Sequence, residues 1–186
     1  MLRARGMCSN GDEKSPYDRV MTGLGRLTDG QLTAWRNFLQ AHAVLVRRLE
    51  ADLLAEHQLP LASYDVLVQL VEAPERRLRM TELAQRVLIS RSGLTRLVDR
   101  LEREGLVRRE ACDDDARGLF AVLTEDGFQR LRRASPTHLR GVARYAMDRL
   151  DDAQVASLAE ICALLLDNGG VVPAARDGAV QTVQQG

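Results

Sequence analysis

Residues 90–105 read Ser90-Arg91-Ser92-Gly93-Leu94-Thr95-Arg96-Leu97-Val98-Asp99-Arg100-Leu101-Glu102-Arg103-Glu104-Gly105. Leu94, Leu97, Val98 and Leu101 recur at steps of three and four, so a helix over 91–104 gathers them on one face. Ser90 stands where a hydroxyl caps a helix start, and Gly105 stands where the chain turns out of the helix end. With the leucines inward, Arg91, Ser92, Thr95 and Arg96 face out, followed by Arg100 and Arg103. Ser92 and Gly93 permit close approach, Thr95 offers a hydroxyl to a phosphate, and Arg91 or Arg96 matches the guanine O6/N7 edge. A good bidentate contact of that kind discriminates by roughly 1–3 kcal/mol. A solvated helix face has the same composition, so the helix by itself leaves both readings open.

Its surroundings narrow the choice. Upstream, residues 61–73 form a helix with Val66, Leu67 and Leu70 as its stripe and Pro74 as its stop, and 81–87 form a short helix. The turn 88–90 then leads into the helix above. Downstream, 106–110 are short and partly β-branched, 111–117 are polar and acidic, and 118–123 are again strand-like, which predicts a hairpin with a long tip. Residues 60–123 are thus a tri-helical unit with a β-wing, and a short helix, a turn and a basic, hydroxyl-rich helix make a helix-turn-helix. In the wing, Arg117 follows Asp113, Asp114 and Asp115. Asp115 either braces the tip so that a guanidinium reaches a minor groove, or forms a plain surface ion pair.

The flanks are helical too. Leu32, Trp35, Leu39, His42, Val46, Leu49 and Leu53 mark a long amphipathic helix ending near Gln58. Thr124 caps another, with Glu125 and Asp126 in its first turn; it is expected to reach about Leu150, kinked or divided at Pro136. Asp151 and Gln154 fit a capping box for a last helix through Ala156, Leu158, Ile161, Leu164 and Leu165, stopped by Asn168 and Gly169. The expected fold class is mainly α with a small β-hairpin wing: a winged helix-turn-helix with a helical dimerisation region. The division runs 1–27 flexible arm, 28–59 dimerisation helix, 60–123 DNA-binding domain, 124–168 dimerisation helices and 169–186 flexible tail. The flanking stripes exceed what a module of this size can cover, so a second copy is the natural partner. A twofold dimer sets two reading helices about one DNA turn apart and calls for a pseudo-palindromic operator.

Bulk properties exclude other classes. The 186 residues carry 26 basic and 26 acidic side chains, so a non-specific nucleic-acid coat, which depends on excess positive charge, is disfavoured. Lys14 is the only lysine; arginine suits phosphate and guanine, although a genome rich in G and C gives the same bias. No stretch suits a membrane span and no leader pattern opens the chain, so a cytoplasmic protein is expected. Cys8, Cys112 and Cys162 are too scattered for a zinc or disulfide framework. His42, His57 and His138 make no spaced metal set, so neither metal nor cofactor is expected. There is no glycine-rich phosphate loop and no nucleophile elbow, and an enzyme is not expected.

Several motifs in order carry a closer likeness: Met80-Thr81-Glu82-Leu83-Ala84, the run Ser90 to Glu102, Glu104-Gly105-Leu106-Val107-Arg108-Arg109, Asp115-Ala116-Arg117, and Leu123-Thr124-Glu125-Asp126-Gly127. From about residue 30 to 168 the chain resembles the multiple antibiotic resistance regulator (MarR) family. The resemblance implies a homodimeric DNA-binding transcriptional regulator, a repressor released by a ligand or an oxidant. Its DNA-reading positions fall on Ser90, Arg91, Ser92, Thr95 and Arg96, with Arg117 at the wing, where Ala116 replaces a frequent second charge. It also implies a small anionic aromatic effector, for which Trp35, Arg36, Phe38, His42 and Tyr64 are candidate walls. Two alternatives stand beside it: a redox-responsive regulator using Cys112, and a winged-helix module that binds proteins.

Overall fold

The computed structural model describes residues 27–112 and 115–166, with side chains throughout except at 112 and 115–117. The described residues fall into two units divided after Val44. In the first, Thr28 and Gln31 exchange amide-to-side-chain hydrogen bonds of 2.8 and 3.2 Å, a capping box that starts α1, Asp29–His57. Leu32 is buried there, whereas Trp35, Phe38 and Leu39 are about half exposed.

The second unit continues α1 from Leu45 and adds α2 (Leu61–Glu72), a 3₁₀ turn (Pro74–Arg76), β1 (Arg77–Arg79), α3 (Met80–Arg86) and α4 (Arg91–Arg103). The wing strands β2 (Val107–Cys112) and β3 (Asp115–Leu123) follow, then α5 (Glu125–Tyr145), a 3₁₀ turn (Met147–Arg149) and α6 (Asp152–Leu166). Helix ends lie within a residue or two of those expected for α2, α3 and α4. Val66, Leu67 and Leu70 of α2 meet Leu83 of α3, Leu94, Val98 and Leu101 of α4 and Val107 of β2 in one buried cluster, with Leu53 of α1 and Leu131 and Ala134 of α5. Cutting one of the sealed leucines back to alanine costs about 2–5 kcal/mol.

The sheet departs from expectation. It has three antiparallel strands in the order β1-β3-β2, not a two-stranded hairpin. Arg77 pairs with Val122 and Arg79 with Phe120, which seats Leu78 opposite Ala121 in the core. Three residues carry no period of their own; β1 forms because β3 otherwise leaves an unpaired edge. The wing strands also run farther than expected, with β2 reaching Cys112 and β3 starting at Asp115 across a register shift at Ala111 and Cys112. Asp113 and Asp114 lie outside the described residues, as do the expected arm and tail.

The third correction concerns α5. It is one helix, undivided at Pro136, and it ends at Tyr145 rather than about Leu150, with a 3₁₀ turn after it. Pro136 faces water, where the carbonyl that loses its amide partner is hydrated. Two glycines let α5 pack closely. A Cβ on Gly127 would fall 2.1 Å from the Leu106 carbonyl oxygen, and one on Gly141 would fall 2.7 Å from a Leu49 methyl. Between them, buried Thr137 donates to Glu56 Oε2 at 2.7 Å and meets His57 Nε2 at 2.8 Å, while Tyr145 donates to Asp52 at 2.8 Å. These bonds tie α5 to the second half of α1. Asp151 and Gln154 form the expected capping box, at 2.8 and 3.0 Å, yet α6 buries none of its residues. Its expected stop at Asn168 and Gly169 lies outside the described residues. None of the described helices is long and apolar enough to cross a membrane.

Candidate nucleic-acid interface

Helix α4 is set by its ends and its back. Ser90 Oγ accepts from the Gly93 amide at 3.1 Å, and Gly105, at φ +74°, takes the left-handed conformation after the last turn. Leu94, Val98 and Leu101 are sealed in the core, so the rotation of the helix about its axis is fixed. Arg91, Ser92, Thr95 and Arg96 emerge exposed beside the cap, as the spacing predicts. Ser90 and Ser92 hydroxyls lie 3.3 Å apart, and Thr95 donates to the Arg91 carbonyl at 2.9 Å, which leaves its oxygen able to accept but commits its proton within the helix.

Arg100, the further candidate on this face, is half-buried with 39% of its side chain exposed: it donates to Ser63 Oγ of α2 at 2.5 Å and stands 3.9 Å from Glu104. Ser63 is fully buried and needs a partner, and the guanidinium supplies it. Arg100 is thus a brace between α2 and α4.

Arg109 of β2 was not singled out by sequence reasoning, although it lay within a quoted motif. It donates to Asp99 Oδ1 at 2.5 Å, Glu102 Oε2 at 2.7 Å and the Thr95 carbonyl at 3.3 Å, while its own amide donates to Glu102 Oε1 at 3.1 Å. Two carboxylates three residues apart on one helix, with an arginine soon after the turn, were the available signal. The clamp joins wing to helix and engages Asp99 and Glu102 of α4 with Arg109 of β2. A cleft of about 420 Å³ opens beside it, lined by Arg79, Met80, Thr95, Asp99, Arg109 and Leu119.

On the outer side of the sheet, the guanidiniums of Arg77 and Arg79 lie 5.0 and 5.5 Å from the Phe120 ring centroid. Arg77 is also paired with Glu75 at 2.6 Å, and Arg108 with Glu110. Arg117 lies on β3, and Cys112 ends β2; the side chains of both are outside the described ones, as is Cys8. Cys162 is a half-buried free thiol on α6.

The candidate effector walls belong to both units. Trp35, Arg36, Phe38 and His42 are exposed in the first unit, where the Trp35 and Phe38 rings stack with centroids 5.9 Å apart. Tyr64 is buried in the second unit; its ring stacks on His138 at 4.5 Å and its hydroxyl donates to Ser135 at 3.4 Å. Burial pushes the Tyr64 phenol up and the His138 imidazole down from their ordinary values. Near the start of α2, Glu50 accepts from the Leu61 amide at 2.5 Å, and Asp65 is raised to about 6, first by partial burial and then by the Glu50 charge. Among the described residues no group of three or more His, Cys, Asp or Glu side chains is arranged to hold a metal ion.

Comparison with known proteins agrees with this geometry. The MarR family model matches residues 57–118. An HTH-type transcriptional regulator of Bacillus cereus is 31% identical over 114 residues, which is 61% of this chain and 74% of that one. The HTH-type transcriptional repressor YetL of Bacillus subtilis is 34% identical over 80 residues, and that alignment spans 43% of this chain and about half, 48%, of YetL. Among solved structures, Sco3205, a MarR family transcriptional regulator from Streptomyces coelicolor crystallised in complex with DNA, is 43% identical, with a TM-score of 0.71 over 75% of this chain and 91% of its own.

Proposed function

Because the chain belongs to the MarR family of transcriptional regulators, we propose that it reads a pseudo-palindromic duplex operator as a homodimer and represses the genes beside it. In this reading α4 of each copy enters a major groove, with Ser90, Arg91, Ser92, Thr95 and Arg96 toward base edges and phosphates, and Arg117 of the wing reaches the flanking minor groove. The observation that carries it is the α4 face: hydroxyls and guanidiniums exposed on a helix whose apolar side is sealed and whose acids are held by Arg109. That face suits a surface rich in phosphates and acceptors. DNA in the Sco3205 structure supports the same partner here.

The dimer rests on α6, which leaves Leu158, Ile161, Leu164, Leu165 and Leu166 exposed. Such a row of apolar side chains calls for a covering surface, and in a symmetric pair the copies supply it to each other. Release is assigned to a small anionic aromatic effector that seats against the Trp35–Phe38 pair, with Arg36 and His42 nearby in sequence, and favours a dimer geometry that misses the grooves. A cytoplasmic setting goes with this function.

The test is selection of duplexes from a random-sequence pool by the purified chain, followed by titration in salt. A twofold-symmetric consensus is expected, with affinity that falls about a thousandfold between about 50 and 200 mM salt if roughly six phosphates are contacted. Uniform weak retention of all sequences, without a consensus, contradicts the proposal.

A further inference from the structure

Leu88 is out of place by every local rule. It lies in the turn between α3 and α4 at φ +53°, the left-handed region that L side chains avoid and that glycine or asparagine fills readily. It is also 78% exposed, more than any other large apolar side chain among the described residues. Among the described residues three other non-glycine positions share a positive φ, Gln58, Glu75 and Arg76, and all three carry polar ends that water solvates. At Leu88 strain and apolar exposure coincide, and an outlier of this kind points to a use.

The position suggests which one. Leu88 comes two residues before the Ser90 cap, and with Thr81, Gln85, Ser90 and Arg91 it lines a shallow cleft of about 550 Å³. The apolar side chain therefore stands against the N-terminal turn of α4, the part of a reading helix nearest the base edges. Ala84 and Ile89 also line the cleft, Ala84 buried and Ile89 half-buried, while the polar lining is two hydroxyls, an amide and a guanidinium, which suit phosphates and acceptors. The apolar group that a major groove offers beside acceptors is the C5-methyl of thymine.

We propose that Leu88 is a specificity-determining residue that contacts a thymine methyl next to the site read by Arg91. The proposal rests on the DNA reading above. It adds a preference for thymine over any base without that methyl, at one position of each half-site.

Uracil lacks only the methyl, so it isolates the contact. On the duplex selected from the random pool, each thymine is replaced singly by uracil, and binding of the unaltered chain, Leu88→Gly, Leu88→Asn and Leu88→Met is measured. For the unaltered chain, one replacement per half-site is expected to weaken binding about fourfold, and the symmetric pair about sixteenfold. Leu88→Gly and Leu88→Asn fit the left-handed turn, so their melting temperatures should hold or rise, while their affinity falls and the uracil penalty at that position disappears. Leu88→Met should restore the penalty. A uracil profile for Leu88→Gly that superimposes on that of the unaltered chain overturns the inference while leaving the DNA reading intact, and so does a loss of affinity with no change in profile. A chain that enriches no duplex overturns both.

Discussion

Helices α4 and α6 are of similar length, thirteen and fifteen residues, yet one is fastened to its own chain and the other is not. Behind α4 lie three sealed apolar side chains, a hydroxyl cap, the Arg100 brace and the Arg109 clamp. Helix α6 has its capping box, but none of its residues is buried and six large apolar side chains, from Val155 to Leu166, are exposed. The exposed surfaces differ in the same sense. What α4 shows is charged and hydroxylic, matched to a polar partner, whereas α6 shows a hydrocarbon surface that only another such surface stabilises. A helix that completes its packing within the chain presents a reading surface; one that does not presents an assembly surface.

The comparison breaks first at α6. Leu158→Asp combined with Ile161→Asp sets charges into the proposed twofold contact, and the dimer dissociation constant should rise on the order of a thousandfold, read by sedimentation, with little change in helix content. Unchanged association would place the dimer contact elsewhere. Next, Arg96→Ala should weaken the selected duplex by about tenfold to a hundredfold and relax the consensus at one position, with sedimentation unaltered. Retention of full affinity would remove α4 from the reading role.

Arg109→Ala tests what fixes α4 in place. Partners that are partly open to water limit the loss to about 1–2 kcal/mol in chemical unfolding. If the clamp also positions the helix, duplex affinity should fall by more than Arg108→Ala produces, since Arg108 pairs with its own strand neighbour Glu110 rather than with α4. Smallest is the effect at Asp65. Its carboxyl is raised to about 6 in the fold against 3.8 ordinarily, so the native state holds the extra proton between those values. The stability linked to it is therefore complete below about pH 4 and is lost as pH rises through 6. Asp65 keeps an exposed edge, and screening reduces the effect to about 1 kcal/mol. Asp65→Asn should match the parent chain near pH 4 and exceed it above pH 6 in thermal melts; a constant difference across that range refutes the assignment.

Local signals were legible and distant ones were not. The span of α4, its Ser90 cap and its outward Arg91, Ser92, Thr95 and Arg96 follow from spacing alone, because a helix encodes its faces in neighbours three and four apart. The capping box of α6 is equally local. Strand β1 was missed because its reason lies more than forty residues away on β3, and three residues carry no period. The bond from Arg100 to Ser63 went unread because a helical wheel shows which residues share a face but not that Ser63 waits, buried, under the edge of that face. Of the two outcomes expected at Pro136, division does not occur, because an exposed proline leaves its orphaned carbonyl near solvent.

The strand order has a mechanical consequence. Since β1 and β2 both pair with β3, the whole reading segment from Met80 to Leu106 is an excursion whose two feet stand on a single strand. Neither foot can lift without opening a ladder on β3, so the segment should melt in step with the wing rather than fray alone. A substitution in β3 would then loosen the reading helix from a distance, without touching any residue that meets the duplex.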